Sequence, residues 1–394
     1  MSGRFFLVLA FRMLATLLGW WVYELTKDPF AIGLIGLSEV VPAVSSALYA
    51  GHVIDNSEKK KLLLICNYAY VVLIGFLAIL AYVEADLHQF SDHQITYFIY
   101  GTVFFTGICR AFIGPIVPTM IPKIVGKEKL PNAITINQAT FLTASVTGHA
   151  LGGFFIHWFG IAHTLAIIVG IMTFASLFFW MIDEHHSENL GVQLKIKESI
   201  KEGLSYILKT KEILGALLLD MFAVLFGGAV AMIPVFASDI LNVGAEGFGL
   251  LNAASDIGAM LIIITLSFIP LKKDQGKILL FAVAGFGICI IAFGLSKLYW
   301  LSFFFLVLSG ILDGISVVIR GTIVQLKTPE KIRGRVLSVN SIFIMSSNEL
   351  GQFESGVAAK LLGVVRSVVF GGSMTLLIAL LVGTKFPKLR NMKY

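Results

Sequence analysis

Long apolar stretches separated by short polar clusters run the length of the chain. A helix crossing the bilayer core needs about 20 mostly apolar residues. Twelve segments meet that requirement: 4–23, 30–52, 62–83, 95–118, 134–157, 160–182, 213–237, 247–270, 277–296, 299–323, 337–361 and 367–385. The longest connection, 183–212, divides them six and six. Within it, Leu194-Lys195-Ile196-Lys197 and Ile200-Lys201-Glu202-Gly203-Leu204 precede Tyr206-Ile207-Leu208, an amphipathic pattern suited to a helix lying on the membrane surface. The pattern predicts an all-α membrane protein of twelve transmembrane helices. It has a six-helix bundle over 1–182, a cytoplasmic linker with an amphipathic helix over 183–212, and a second six-helix bundle over 213–394.

Composition agrees and adds an orientation. Of 394 residues, 57% are hydrophobic and only 14% charged, whereas soluble domains carry roughly 25% charged residues. The net charge of +6 does not call for nucleic acid, because the basic residues are arranged by side. With the N-terminus in the cytoplasm, 23 of the 30 lysines and arginines fall on the cytoplasmic side and four (Lys27, Lys297, Lys360, Arg366) on the other. That asymmetry predicts a multi-pass protein of the bacterial inner membrane with both termini cytoplasmic. The run Phe5 to Trp21 has no small-residue cleavage site after it, and Trp20, Trp21 and Tyr23 are expected as an interfacial aromatic belt. Cys66, Cys109 and Cys289 lie in apolar runs without ligand spacing and read as packing residues.

The two halves repeat one another. With Asn137 set against Asn340, Gly148 falls on Gly351, Gly153 on Gly356 and Arg110 on Asp313. Gly33-Leu34-Ile35 and Gly249-Leu250-Leu251 open the second and eighth segments alike. Two parallel six-helix repeats follow from this register.

Away from the span ends, nine charged residues lie inside the expected spans: Arg12, Glu39, Arg110, Asp220, Asp256, Asp313, Arg320, Glu349 and Glu354. Each costs about 2.5–3.5 kcal/mol or more at a lipid-facing helix centre, so each must face protein, water or another charge. They avoid spans 3, 6, 9 and 12, as a bundle with every third helix outside requires. Glu39 and Asp256 lie about 14 Å deep and Glu349 about 18 Å, at 1.5 Å per residue. That depth makes them, with Arg12 and the span-5 histidine His149, candidates for proton coupling or substrate contact. Arg110, Asp313 and Arg320 are candidates for a gate or for structural pairs. Asp220 and Glu354, nearer the span ends, are placed with the pairs, and snorkelling would also satisfy them. His185 and His186 sit among linker acids and read as a solvated polar run, so no metal is expected.

Gly51-His52-Val53-Ile54-Asp55-Asn56-Ser57-Glu58-Lys59-Lys60 resembles the loop signature of major facilitator transporters at Gly51, Asp55, Lys59 and Lys60. Asn56 replaces a basic residue of that signature and Glu58 a glycine. Further stretches resemble the drug/proton antiporter branch that includes enterobactin exporters. They include Arg110-Ala111-Phe112-Ile113-Gly114-Pro115, Leu130-Pro131-Asn132-Ala133, Ile233-Pro234-Val235-Phe236-Ala237, Arg333-Gly334-Arg335-Val336 and Ser347-Asn348-Glu349-Leu350-Gly351. The resemblance covers nearly the whole chain. It implies the major facilitator fold, two pseudo-symmetric six-helix bundles, and a proton-coupled exporter of a small amphipathic solute such as a drug, siderophore or metabolite. No cofactor is implied, the partners are a small-molecule substrate, protons and the lipid bilayer, and the expected working unit is a monomer. The branch has Gly-Pro and then Gly-Gly in its fifth helix; here Gly148-His149 and Gly152-Gly153 lack the proline, which leaves an importer or uniporter open. A polytopic enzyme is the remaining alternative, without any nucleophile–base or phosphate-loop motif to support it.

Overall fold

The computed structural model describes residues 1–87, 89–125, 129–182, 196–269, 271 and 274–392. Two units emerge, Met1–Gln193 with Val243–Ala253, and Leu194–Asn242 with Ala254–Tyr394. Regular structure among the described residues is helical.

The first unit contains α1 (Ser2–Thr26), α2 (Pro29–Asn56), α3 (Lys59–Leu87), α4 (Asp92–Ile124) and α5 (Leu130–Trp180). Local chemistry marks the ends. Asp28 caps α2 by accepting from the Phe30 amide at 2.9 Å, with Pro29 in the first turn, and Ser91 and Gln94 form a reciprocal capping box on α4. At 51 residues α5 would be about 75 Å long, far beyond one bilayer crossing. It breaks at Gly160, whose φ of 72° and ψ of 179° are open only to glycine. The contacts with α1 give the direction of the two arms. Asn137 in the first arm meets Arg4, while Phe178 and Phe179 in the second meet Gly3. The chain therefore turns back at Gly160, and the expected fifth and sixth spans are the two arms.

The second unit contains α6 (Ile196–Lys209), α7 (Lys211–Phe226), α8 (Gly244–Phe268), α9 (Gln275–Leu295), α10 (Tyr299–Lys327), α11 (Arg333–Leu362), α12 (Val364–Lys385) and a final turn, α13 (Pro387–Arg390). The opening of α8, through Ala253, clusters with the first unit. The second unit's core joins Ile213, Leu217 and Leu219 of α7 to Leu279 and Val283 of α9, Ile319 and Ile323 of α10, and Val336 and Val339 of α11.

Among the described residues, ten segments are long and apolar enough to cross a membrane, Lys211–Ile240 being counted across its break. The shortfall from twelve has two physical sources: α5 counts once although it turns back, and the 30-residue α11 is too polar to qualify by composition alone. Large side chains on the outside are apolar, with Phe268, Phe281 and Trp300 at least 74% exposed. A protein surrounded by water could not sustain such a surface over so many helices, and the chain is a multi-pass membrane protein.

Three expectations need correction. The segment 213–237 is not one helix. α7 ends at Phe226, a tight turn spans Ala229–Met232, and a wider one spans Phe236–Ile240. Gly227 and Gly228 sit at the break, where added Cβ atoms would meet the Phe286 ring and the Gly351 carbonyl. Trp20, Trp21 and Tyr23 are not a belt; all three are buried, and Trp20 stacks on Phe248 at 5.5 Å between ring centroids.

The amphipathic helix α6 forms, but it does not simply float on a lipid surface. Ile207 is buried in the second unit's core, Tyr206 donates to the Lys327 carbonyl at 2.5 Å, and Glu202 pairs with Arg335. Leu204 and Leu208, one turn apart, remain exposed, so the apolar stripe is divided between protein and surroundings. Gly203 permits this docking: a Cβ there would lie 2.8 Å from the Arg335 carbonyl oxygen. Gly203→Leu is expected to raise tryptic cleavage at Lys201 and Lys209 severalfold in limited proteolysis; an unchanged cleavage rate would mean that docking does not hold α6.

Candidate functional site

Each unit contains a charged interior, built where helices approach closely at glycine. In the first unit α4 crosses α2 at Gly107. A Cβ on Gly107 would lie 2.7 Å from the Glu39 carbonyl oxygen and 2.9 Å from the Pro42 ring. One turn beyond Gly107, Arg110 reaches Glu39 and forms an ion pair with it. The Glu39 side chain is 16% exposed and that of Arg110 40%. The proton-coupling candidate and the gate candidate are thus partners.

The repeat register carries Gly107 onto Gly310 and Arg110 onto Asp313. In the second unit Gly310 plays the same part, since a Cβ there would collide with the Ser255 carbonyl oxygen. Gly258 and Gly314 extend this contact, facing the Val307 carbonyl and the Ile262 side chain. The crossing brings Asp313 of α10 within electrostatic range of Asp256 of α8. Where the first repeat holds an acid against a base, the second holds an acid against an acid.

Asp313 also lines a small cavity together with Asp220, Ser316, Phe286 and Val224. Asp313, Ser316 and Arg320 are spaced three and four apart and share a face of α10. Arg320 does not pair with Asp313 on its own helix; it forms an ion pair with Asp220 of α7, both side chains at most 8% exposed. Asp220 is therefore buried and held, and snorkelling does not apply to it. α9 contributes only apolar groups, Val283 and Phe286, to this cavity.

The remaining candidates are dispersed. Glu349 is buried on α11 and accepts from the Gln352 amide at 3.2 Å; Glu354 is partly buried one turn further on. His149 lies on the first arm of α5, where its Nδ1 is 2.8 Å from the Thr16 hydroxyl. Gly148 and Gly152 admit α1 there: Cβ atoms on them would lie 2.7 Å from the Arg12 Cβ and 3.1 Å from the Met13 Cα. The glycines of the fifth-helix signature thus work as a helix contact although the proline is absent. Arg12 lies over the Phe141 ring at 5.5 Å from its centroid.

Of the loop signature, Lys60 donates to the Ile182 carbonyl at 2.6 Å, tying the start of α3 to the end of α5. Lys59 also opens α3, Gly51 lies in α2 with open space where a Cβ would project, and the side chain of Asp55 lies outside what is described. His185 and His186 also fall outside the described residues.

Sequence reading missed Phe141 and Arg4 as members of the α1–α5 contact. The available signal was helical spacing. Phe141 is one turn beyond Asn137 and two turns before Gly148, so all three share the face that meets α1.

Comparison with known proteins agrees with this architecture. The profile described as transmembrane secretion effector matches residues 11–394. The chain is 23% identical to the enterobactin exporter EntS of Citrobacter koseri, over 99% of this chain and 92% of that protein. It is 21% identical to the uncharacterized MFS-type transporter YfmI of Bacillus subtilis, over 79% and 78%. Among solved structures, a D-xylose-proton symporter superposes with a TM-score of 0.73 at 12% identity, covering 99% of this chain and all of that one; at such identity the likeness concerns the fold alone. Taken with the helical units and their charged interiors, the match along residues 11–394 establishes that the chain belongs to the transmembrane secretion effector family, transporters of the major facilitator type and not enzymes.

Proposed function

We propose that this transporter is a proton-coupled exporter of a small amphipathic solute, working by alternating access in the bacterial inner membrane with both termini in the cytoplasm. The observation that carries the reading is the close α8–α10 crossing at Gly310, which brings Asp256 and Asp313 within electrostatic range of each other, where the first repeat has Glu39 with Arg110. An ion pair is neutral as it stands. Two carboxylates at one helix crossing offer a proton a place that an ion pair does not. Such a pair is suited to loading and releasing a proton as its access to water changes. The neighbouring Asp220–Arg320 pair supplies a fixed, neutral wall to the same cavity. Export follows the relatives named as enterobactin exporters, and the orientation follows the lysine and arginine distribution.

In this reading the coupling role falls to Asp256 and Asp313, and Glu39 is not the first choice because Arg110 holds it. Glu349, buried beside Gln352, remains a second acid for the same role. Asp313→Asn and Asp256→Asn are expected to reduce pH-gradient-driven efflux at least tenfold in proteoliposomes screened with a chemically broad solute panel, with the protein still folded. Efflux that ignores the gradient in the unaltered protein would sink the coupling. The second reading, an importer or uniporter, would then stand on His149 occupying the place of the antiporter proline.

A further inference from the structure

Three arginines lie well inside the expected spans: Arg12, Arg110 and Arg320. Arg110 is neutralised by Glu39 and Arg320 by Asp220. Arg12 differs. Among the described residues no carboxylate partners it, and its contact is the face of Phe141. Arg4, two turns earlier on α1, also lies over that ring, at 5.8 Å from the centroid, and donates to the Asn137 side-chain oxygen. One aromatic ring thus faces two guanidiniums, and among the described residues neither has an acid. A ring quadrupole attracts a cation but cannot cancel its charge.

The surroundings are those of a recognition surface. Arg12 and Phe141 are both partly exposed, so a solute can reach them. One turn along α1 from Arg12, the buried Thr16 meets His149, which holds that partly exposed imidazole near the guanidinium. Gly148 holds the α5 backbone against Arg12, which fixes where that side chain leaves α1. All of these residues belong to the first unit. Arg12 lies ten residues into α1, about 15 Å along its axis. That depth is past the headgroup layer and favours a solute over a lipid phosphate.

We propose that this face of α1 and α5 binds an organic anion carrying a flat aromatic group. The Arg12 guanidinium forks onto the anionic oxygens, Phe141 packs against the ring, and His149, oriented by the buried Thr16, meets polar substituents. Arg4 supplies a second positive charge nearer the N-terminal end of α1. The inference rests on the reading of the protein as a carrier of small amphipathic solutes and names the charge of the solute.

The test uses the full-length protein in nanodiscs of neutral phosphatidylcholine, with 1-naphthoate and its uncharged analogue 1-naphthamide as probes in isothermal titration calorimetry. Naphthoate is expected to bind at least tenfold more tightly. Arg12→Gln should abolish that preference, and Arg12→Lys should keep part of it, since the charge remains while the fork is lost. Equal binding of the two probes to the unaltered protein, or no binding of either at millimolar concentration, overturns the proposal without any variant. An unchanged preference in Arg12→Gln also overturns it. So does naphthoate binding that vanishes in phosphatidylglycerol discs, which would assign the cations to lipid headgroups. The measurement involves no gradient, so loss of proton coupling and loss of anion preference are separate results.

Discussion

Asp220→Asn is expected to destabilise the second unit by about 3–5 kcal/mol, the range for removing one partner of a buried ion pair. The change leaves Arg320, a side chain 6% exposed, without its ion-pair partner, and the nearby Asp313 lies two turns away on its own helix. Arg320→Gln should cost a similar amount by stranding Asp220. The double variant Asp220→Asn with Arg320→Gln should recover most of the loss, since no net charge then remains buried. A thiol-reactive fluorescent dye reads this in a thermal ramp, because Cys289 of α9 is free and buried and reacts once the second unit's helices part. If the double variant melts no higher than either single one, the pair is not what stabilises this interior.

Gly310→Val is expected to be the next most damaging change, at about 3 kcal/mol, the upper end for an overpacked contact. The added carbon would collide with the Ser255 carbonyl oxygen, which belongs to helical backbone and cannot rotate away. Relief requires α8 and α10 to separate, and that separates Asp256 from Asp313. Two readouts should therefore fall together: thermal stability, and gradient-driven transport in whatever protein remains folded. Gly321→Val on the same helix meets open space and serves as the matched control. A Gly310→Val protein that transports and melts like the unaltered one would remove the close crossing as the device that positions the acids.

Much of this was legible in sequence because the signals are local. The break at Gly160 separates two apolar runs, and Gly107 and Gly310, like Gly148 and Gly351, line up in a register already visible from Asn137 and Asn340. The contacts follow that register: Gly148 receives α1 and Gly351 receives α7, the opening helices of the two repeats. Less legible were the partners of each charge. Depth alone placed Glu39 and Asp256 together as equivalent acids. Their surroundings differ because position 110 is arginine and position 313 is aspartate, and a sequence does not say which residue stands opposite. Asp313 and Arg320, seven apart on one face of a helix, are both pair candidates by sequence, yet the guanidinium reaches across to α7. The burial of Trp20 was missed for a related reason: an aromatic residue near a span end has the same composition whether it faces lipid or Phe248.

The sequence by itself determined that the chain crosses a membrane repeatedly, that it does so in two repeats, and which nine charges lie within the spans. Those properties follow from the hydropathy of runs about 20 residues long and from glycine spacing, both fixed by covalent order. Only the tertiary structure decided that Arg110 holds Glu39, that Arg320 holds Asp220, that Asp256 comes within electrostatic range of Asp313, and that Arg12 has a ring and no acid among the described residues. Partner choice depends on how each helix is rotated about its axis and how closely it meets its neighbour. Those distances are set by glycines packed against carbonyl groups far away along the chain.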